Sequence, residues 1–366
     1  MGVCGATMSA HLEDWLRLLG LEFSATKLGN LLQAFGSPTA VLQAPAEALR
    51  RVPGVREADI VAIERAANAS IAIPEPLQKG TVRLITQHDS EYPNPLRQIP
   101  DPPPALFVWG TIQERDRFGI AVVGTRHPSA YGRMVAERFT RDLCEAGLTI
   151  ISGGALGIDT IAHRTALECG GRTIAILGSG LGKPYPAENL RLFAQIAEAG
   201  GAVVSEFGYF SPPDAWRFPV RNRLIAGWAL GTLVIEAGEQ SGALITARLA
   251  GEYGREVFAV PGNIDNPRSK GCHDLIKNGA ILVDSAQDVL DTLRIQREPR
   301  PRELQLPMLT PAQEKLLALL TLEPQHLDAI ARAAQVPVHI AQIELTTLEM
   351  MGLARRMPGG TFVRVL

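Results

Sequence analysis

Apolar residues recur at helical spacing through the first seventy or so residues: Leu12, Leu16 and Leu19, then Leu28, Leu31, Leu32 and Phe35, then Leu49, Ile60 and Ile63. This spacing predicts a small all-helical module. Residues 71–110 interrupt it with Pro74, Pro76, Pro93, Pro95, Pro100, Pro102, Pro103 and Pro104, too many for helices, and predict an extended connector carrying short edge strands. The pattern then changes to short β-branched runs, each ending in a small or polar turn and followed by a helical stretch. The runs are Ile120-Ala-Val-Val-Gly124, Leu148-Thr-Ile-Ile151, Thr173-Ile-Ala-Ile-Leu177, Ala202-Val-Val204, Thr232-Leu-Val-Ile235, Val257-Phe-Ala-Val260 and Ala280-Ile-Leu-Val283. Near-continuous apolar strands alternating with helices predict an α/β fold, an extended Rossmann-like doubly wound parallel sheet covered on both faces.

The next stretch, 296–307, is polar and proline-punctuated, as a semi-rigid linker requires. Beyond it lie three helical patterns, at 316–320, 327–334 and 337–350. Two short runs flanking Pro358-Gly359-Gly360 then read as a hairpin, and together these resemble a winged helix. The expected division is a helical module at 1–72, the sheet domain at 73–295, the linker at 296–307 and the winged helix at 308–366. Within the first module, Val52-Pro53-Gly54-Val55 reads either as the turn of a SAM/helix-hairpin-helix-like unit, with amides facing a phosphate, or as a tight helix–helix connection.

Composition narrows the function class. The 366 residues are 46% hydrophobic, enough for a substantial core, and 36 Lys+Arg against 38 Asp+Glu give a net charge of −2. Any polyanion affinity must therefore come from local clustering of cations. Four scattered cysteines, Cys4, Cys144, Cys169 and Cys272, give neither zinc spacing nor a disulfide framework. With no apolar run of membrane-spanning length and no signal-peptide pattern, a cytoplasmic protein is expected.

In an open parallel sheet, ligands bind beyond the carboxyl ends of the strands. There the first run leads into Gly124-Thr125-Arg126-His127-Pro128-Ser129, where Arg126 offers a bidentate cation and Ser129 can cap the next helix. The second leads into Ser152-Gly153-Gly154, whose amides either contact an oxyanion or merely allow tight packing. The third leads into Gly178-Ser-Gly180-Leu-Gly182-Lys183, a further glycine loop with a lysine. The strongest local signal is Arg217-Phe218-Pro-Val-Arg221-Asn222-Arg223. Its three arginines around Phe218, with no acid between them, can pair phosphates and stack a base, or can form surface ion pairs. A dinucleotide G-x-G-x-x-G fingerprint and a G-x-x-x-x-G-K-[ST] loop are missing, which disfavours ordinary NAD and ATP chemistry. His163 reads as a packed histidine more readily than as half of an acid–base pair with Asp159, and Glu236 either holds loop amides or serves as a base. No catalytic residue, metal ligand or cofactor is assigned.

Linked motifs extend these signals: Val122-Val-Gly-Thr-Arg126, Ser152-Gly-Gly-Ala-Leu-Gly-Ile-Asp159 with His163, Tyr185-Pro-Ala-Glu-Asn189, Ser205-Glu206, Phe218-Pro-Val-Arg-Asn-Arg-Leu-Ile-Ala-Gly227, Val234-Ile-Glu-Ala237, Ser241-Gly-Ala-Leu-Ile-Thr-Ala247 and Ala259-Val-Pro-Gly262. In this order and spacing the chain closely resembles the bacterial DNA-processing protein A (DprA/Smf) family, most strongly over residues 81–293. The resemblance implies a non-catalytic, homodimeric protein that binds single-stranded DNA, protects incoming strands in natural transformation and helps load the recombinase RecA. Carried over by position, Arg126, Arg221, Asn222 and Arg223 would hold phosphates, Gly153 and Gly154 would line the pocket, and Lys183 and Lys270 would add cations. The sequence departs from the family pattern at Gly154 and Leu156, where leucine and arginine are frequent, and at Cys272-His273, where Thr-Asn is usual. The third helix of the winged helix carries no Arg or Lys, so Arg355, Arg356 and Arg364 of the wing are the cations for duplex DNA, with docking of a protein as the other reading. An alternative of a different class is a Rossmann-fold phosphoribohydrolase-like enzyme, although its Pro-Gly-Gly-x-Gly-Thr loop is absent: Pro261-Gly262 runs into Asn263.

Overall fold

The proline-rich connector supplies β1 (Val82–Thr86) and β2 (Ala105–Gly110), an antiparallel pair at one edge of a nine-stranded sheet. All seven β-branched runs are strands of the same sheet: β3 (Gly119–Gly124), β4 (Thr149–Ser152), β5 (Thr173–Ile176), β6 (Ala202–Ser205), β7 (Gly231–Ile235), β8 (Glu256–Ala259) and β9 (Ile281–Leu282). These seven are mutually parallel, and the spatial order is β1-β2-β6-β5-β4-β3-β7-β8-β9. The computed structural model describes residues 3–295, 309–321 and 323–365. These residues belong to two compact units, Met1–Glu298 and Pro299–Leu366. The expected linker falls outside the described residues.

Alternation along the strands explains why both faces are covered. On β3, Ile120 and Val122 enter a core with Val135, Phe139 and Ile158 of the helices Ala130–Glu145 and Ile158–Glu168. Ala121 and Val123 point the other way, into a core with Leu224, Ile225 and Trp228 of the helix Arg217–Trp228. Period-2 side chains, both sets apolar, leave neither face free for water. The chain steps from β3 through β4 and β5 to β6 on one side, then returns to place β7 on the other side of β3. The switch point is therefore between β3 and β7, and their carboxyl ends form the crevice where this fold binds ligands.

The N-terminal helices, among them Val3–Leu19, Ala25–Phe35 and Glu57–Ala67, bury Trp15, Leu18, Leu31, Leu49 and Ile63 in one core. The same core contains Phe107 of β2 and Phe193, so the helical module packs on the sheet domain within one unit. In its tight turn Gly54 takes φ +84°, which favours glycine, and the Pro53 carbonyl accepts a hydrogen bond from Asn30 Nδ2 at 3.1 Å.

The second unit contains the helices Pro311–Leu319, Leu327–Ala334 and Val338–Met350 with β10 (Gln325–His326), β11 (Ala354–Met357) and β12 (Thr361–Arg364) in the order β10-β12-β11. Leu316, Ile330, Leu345, Leu348 and Phe362 fill its core, and Gly359 and Gly360 take the positive φ angles of the wing turn. This is the winged helix. No helix among the described residues is long and apolar enough to cross a membrane.

Candidate nucleic-acid interface

At the switch point lies a groove of about 710 Å³, walled by the turn after β3, the helix Arg217–Trp228 and the segment leading into the helix Gly242–Glu252. Arg126, Phe218, Arg221 and Asn222 all line it. Phe218, Arg221, Asn222 and Ile225 are spaced i, i+3, i+4, i+7, which makes them one face of their helix. The exposed Arg126 guanidinium lies 5.8 Å from the Phe218 ring centroid, and Tyr185 lies 5.7 Å from the same ring. Two rings and a cation thus share one rim, suited to stacking a base beside a phosphate. The N-terminus of the helix Gly242–Glu252 adds its positive dipole end to the same wall.

Arg221 is the unusual member. It is 4% exposed, donates from Nη1 to the carbonyls of Gly153 (2.7 Å) and Ile176, and forms no ion pair among the described residues. Burial pulls its pKa down to about 10, with Arg126 adding to the depression and Asp159 opposing it. A buried cation without a bonded carboxylate is costly, and an anion entering the groove would relieve that cost.

The glycine loops are not the open floor that the sequence suggests. The Gly153 and Ala155 amides both donate to Asp159 Oδ2, at 3.1 and 3.3 Å, so an internal carboxylate occupies the place expected for an oxyanion. Burial holds that carboxyl above its ordinary range. A Cβ on Gly153 would lie 2.8 Å from Arg221 Nη2, and one on Gly154, which has φ +66°, would lie 2.7 Å from the Phe193 ring. Gly153 therefore seats Arg221, and Gly154 serves packing. In the third loop the Gly180 and Gly182 amides donate to the carbonyls of Ser211 and Tyr209, so these amides are taken up inside the protein and do not face the groove.

Other expected site residues also need correction. Arg223 points to the opposite side of the helix, where its guanidinium pairs with Glu206 and, at 3.1 Å, with Asp101. Two residues correspond to about 200° of helical rotation, so it cannot share the face of Arg221. The flanking Arg217 is likewise buried against Glu22 at 2.5 Å. Ser129 caps the helix Ala130–Glu145, accepting from the Gly132 amide, and its own hydroxyl and amide both donate to Glu236. Lys183 is exposed but outside the groove, and Lys270 pairs with Glu239 at 3.0 Å, also outside it. Asn222 lines the groove while donating to the Gly242 carbonyl at 3.3 Å.

Glu236 accepts from Ser129 and from Asn266 Nδ2, the structural role that is one of its two readings. His163 is packed: burial lowers its pKa to about 3, and Nδ1 meets Thr173 Oγ1 at 2.7 Å. Tyr185 is a rim residue that the sequence offers only as part of a family motif, with no site role. It joins Phe218 only because the loop after β5 folds back over a helix more than 30 residues away, a proximity that no local pattern encodes.

Comparison with known proteins identifies the family. The model of the DNA recombination-mediator protein A family matches residues 83–294, and that of the DprA winged helix domain matches 298–360. Protein Smf of Escherichia coli is 42% identical over 296 residues, 79% of each chain. The chain belongs to the DNA recombination-mediator protein A (DprA/Smf) family. DprA of Streptococcus pneumoniae is 46% identical over 202 residues, covering 55% of this chain and 71% of that one. A crystal structure of DprA from Streptococcus pneumoniae superposes with TM-score 0.63 at 37% identity, over 75% of this chain and 95% of that one. A structure of DprA from Helicobacter pylori, described for its single-stranded DNA binding mode, superposes with TM-score 0.52 at 30% identity, over 58% of this chain and 96% of that one.

Proposed function

We propose that this DprA-family chain binds single-stranded DNA in the groove at the β3–β7 switch point, with no catalytic step, and acts as a mediator in recombination. The observation that carries this reading is Arg221, a buried guanidinium with no ion-pair partner among the described residues, facing a groove that also holds Arg126 and Phe218. A backbone phosphate between Arg126 and Arg221 would accept hydrogen bonds from both and offset one of their two positive charges, and Phe218 with Tyr185 would stack the neighbouring base. Duplex DNA keeps its bases inside the helix and gains nothing from the rings, so the single strand is favoured. Binding should depend strongly on salt and little on sequence. The single-stranded DNA bound by the Helicobacter pylori relative supports the same ligand here.

Protection of incoming strands in natural transformation, loading of RecA and homodimerisation are the finer parts of this proposal, and family membership supports them. The phosphoribohydrolase alternative would use a glutamate beside a glycine-rich loop. Here the acceptor positions of Glu236 are taken up by Ser129 and Asn266, which favours the binding reading.

The test is fluorescence anisotropy with a labelled oligonucleotide, single-stranded and as a duplex, for the wild type and Arg126→Ala. Tighter binding of the single strand, abolished or weakened at least several-fold in the variant, supports the proposal. Equal affinity for both forms, or unchanged binding by Arg126→Ala at low salt, refutes it.

A further inference from the structure

A second depression, about 640 Å³, opens on the other side of Arg126. Arg133 reaches it from the helix Ala130–Glu145, Arg164 from the helix Ile158–Glu168 and Arg268 from the turn Pro267–Ser269. With Arg126 these make four exposed guanidinium groups around one cleft, and none has an ion pair among the described residues. Elsewhere some exposed arginines pair, Arg50 with Glu57, Arg83 with Glu91 and Arg117 with Glu114, while others, such as Arg65 and Arg191, have no ion pair among the described residues but do not converge on this cleft. In a chain of net charge −2, four unpaired arginines facing one depression that holds a single acid, Glu188, are a local concentration of positive charge. The chemistry of the lining also differs from that of the first groove. Phe218 and Tyr185 are absent from it, His127 is its only ring of π-character, and Leu156 and Ile161 supply apolar surface.

We infer that this cleft is a second DNA subsite, one that tracks sugar-phosphate backbone and does not stack bases: Arg126 is the hinge shared by both, and Arg133, Arg164 and Arg268 carry the strand onward over the ends of the two helices. The inference rests on the single-strand reading of the first groove and adds to it a direction and a length. A strand filling only the first groove gains stacking and one phosphate held between Arg126 and Arg221. A longer one pairs further phosphates, each adding to the salt dependence and none to base preference.

The experiment compares thymidine oligomers of roughly 5 and 20 nucleotides binding to the wild type and to the triple variant Arg133→Ala/Arg164→Ala/Arg268→Ala, across a salt series. The wild type should prefer the long oligomer, and the triple variant should lose most of that preference, roughly tenfold or more at low salt. The slope of log K against log salt for the long oligomer should fall by about 2, at ~0.7 for each phosphate no longer neutralised. Placing abasic sites along one half of the long oligomer at a time should leave one half insensitive, the half that lies in this cleft. All three arginines are exposed and unpaired, so an unchanged thermal midpoint in the variant separates weakened binding from impaired folding. A triple variant that keeps both the long-oligomer preference and its salt slope overturns the second subsite alone. A wild type that binds neither oligomer overturns the first groove as well.

Discussion

The two sides of the helix Arg217–Trp228 carry the same residue type to opposite ends. On one side Arg221, with Phe218, Asn222 and Ile225, borders an open groove and has no carboxylate in ion-pair contact. On the other, Arg223, with Trp216 and Val220, borders a cavity of about 620 Å³ between the sheet domain and the N-terminal helices, and is held by Glu206 and Asp101. Both guanidinium groups are about 5% exposed, so burial does not distinguish them. What differs is the counter-ion. Where a carboxylate binds the guanidinium directly the arginine is structural; Arg221 has Asp159 nearby but not in ion-pair contact, so its charge remains available to a ligand.

Substitutions should separate the two sides. Arg223→Met should have the largest effect, a loss of about 3–5 kcal/mol in urea unfolding, because it leaves Glu206 buried without its closest cation. DNA affinity per folded molecule should be unchanged. Arg221→Met should do the reverse, weakening single-strand binding by about 2–3 kcal/mol in an anisotropy titration as a charged hydrogen-bond donor disappears, with a much smaller stability change than Arg223→Met. Burial holds the Glu206 carboxyl up at about 7 despite the neighbouring Arg223, against an ordinary value of 4.5. The folded state therefore keeps that proton to higher pH than the unfolded chain does. Its contribution to stability is full below about pH 4.5 and declines as pH rises through 7, a difference on the order of 3 kcal/mol. Urea midpoints between pH 5 and 8 should show this decline in the wild type and a shallower one in Glu206→Gln. The smallest effect is expected from Phe218→Leu, about 1–2 kcal/mol of binding from the missing stacking, with the salt slope retained.

Much of this architecture is legible along the chain, for physical reasons. A strand buried on both faces has to be mostly apolar, so β3 to β7, buried at nearly every position, stand out as β-branched runs. Arg126 and Phe218 are legible because a turn at a strand's carboxyl end and a cation-rich helix start are local features. Reading the three arginines of the helix as a single edge overlooks the helical period, which already puts Arg221 and Arg223 about 200° apart. The glycines mislead for a different reason. Their absent side chains make room for Arg221, Phe193 and the 208–211 segment, and a sequence does not say whether such room is for a ligand or for the protein itself. The carboxylates that hold Arg217 and Arg223, Glu22, Asp101 and Glu206, come from distant segments, so only the fold reveals them.

The winged helix shows a related contrast within its own unit. Its third helix exposes Ile343 and Met350, while the cations lie on the wing strands, with Arg355, Arg356 and Arg364 all exposed. Its exposed apolar side chains and its cations thus sit on different elements, one for each of the two readings of this domain.

The most direct test is the salt dependence of single-strand binding by Arg221→Met and Arg223→Met, measured side by side under conditions where both remain folded. A slope reduced by about 0.7 for Arg221→Met and unchanged for Arg223→Met is the expected result. A reduced slope for Arg223→Met with Arg221→Met left at the wild-type value would contradict the placement of the DNA site at the switch-point groove.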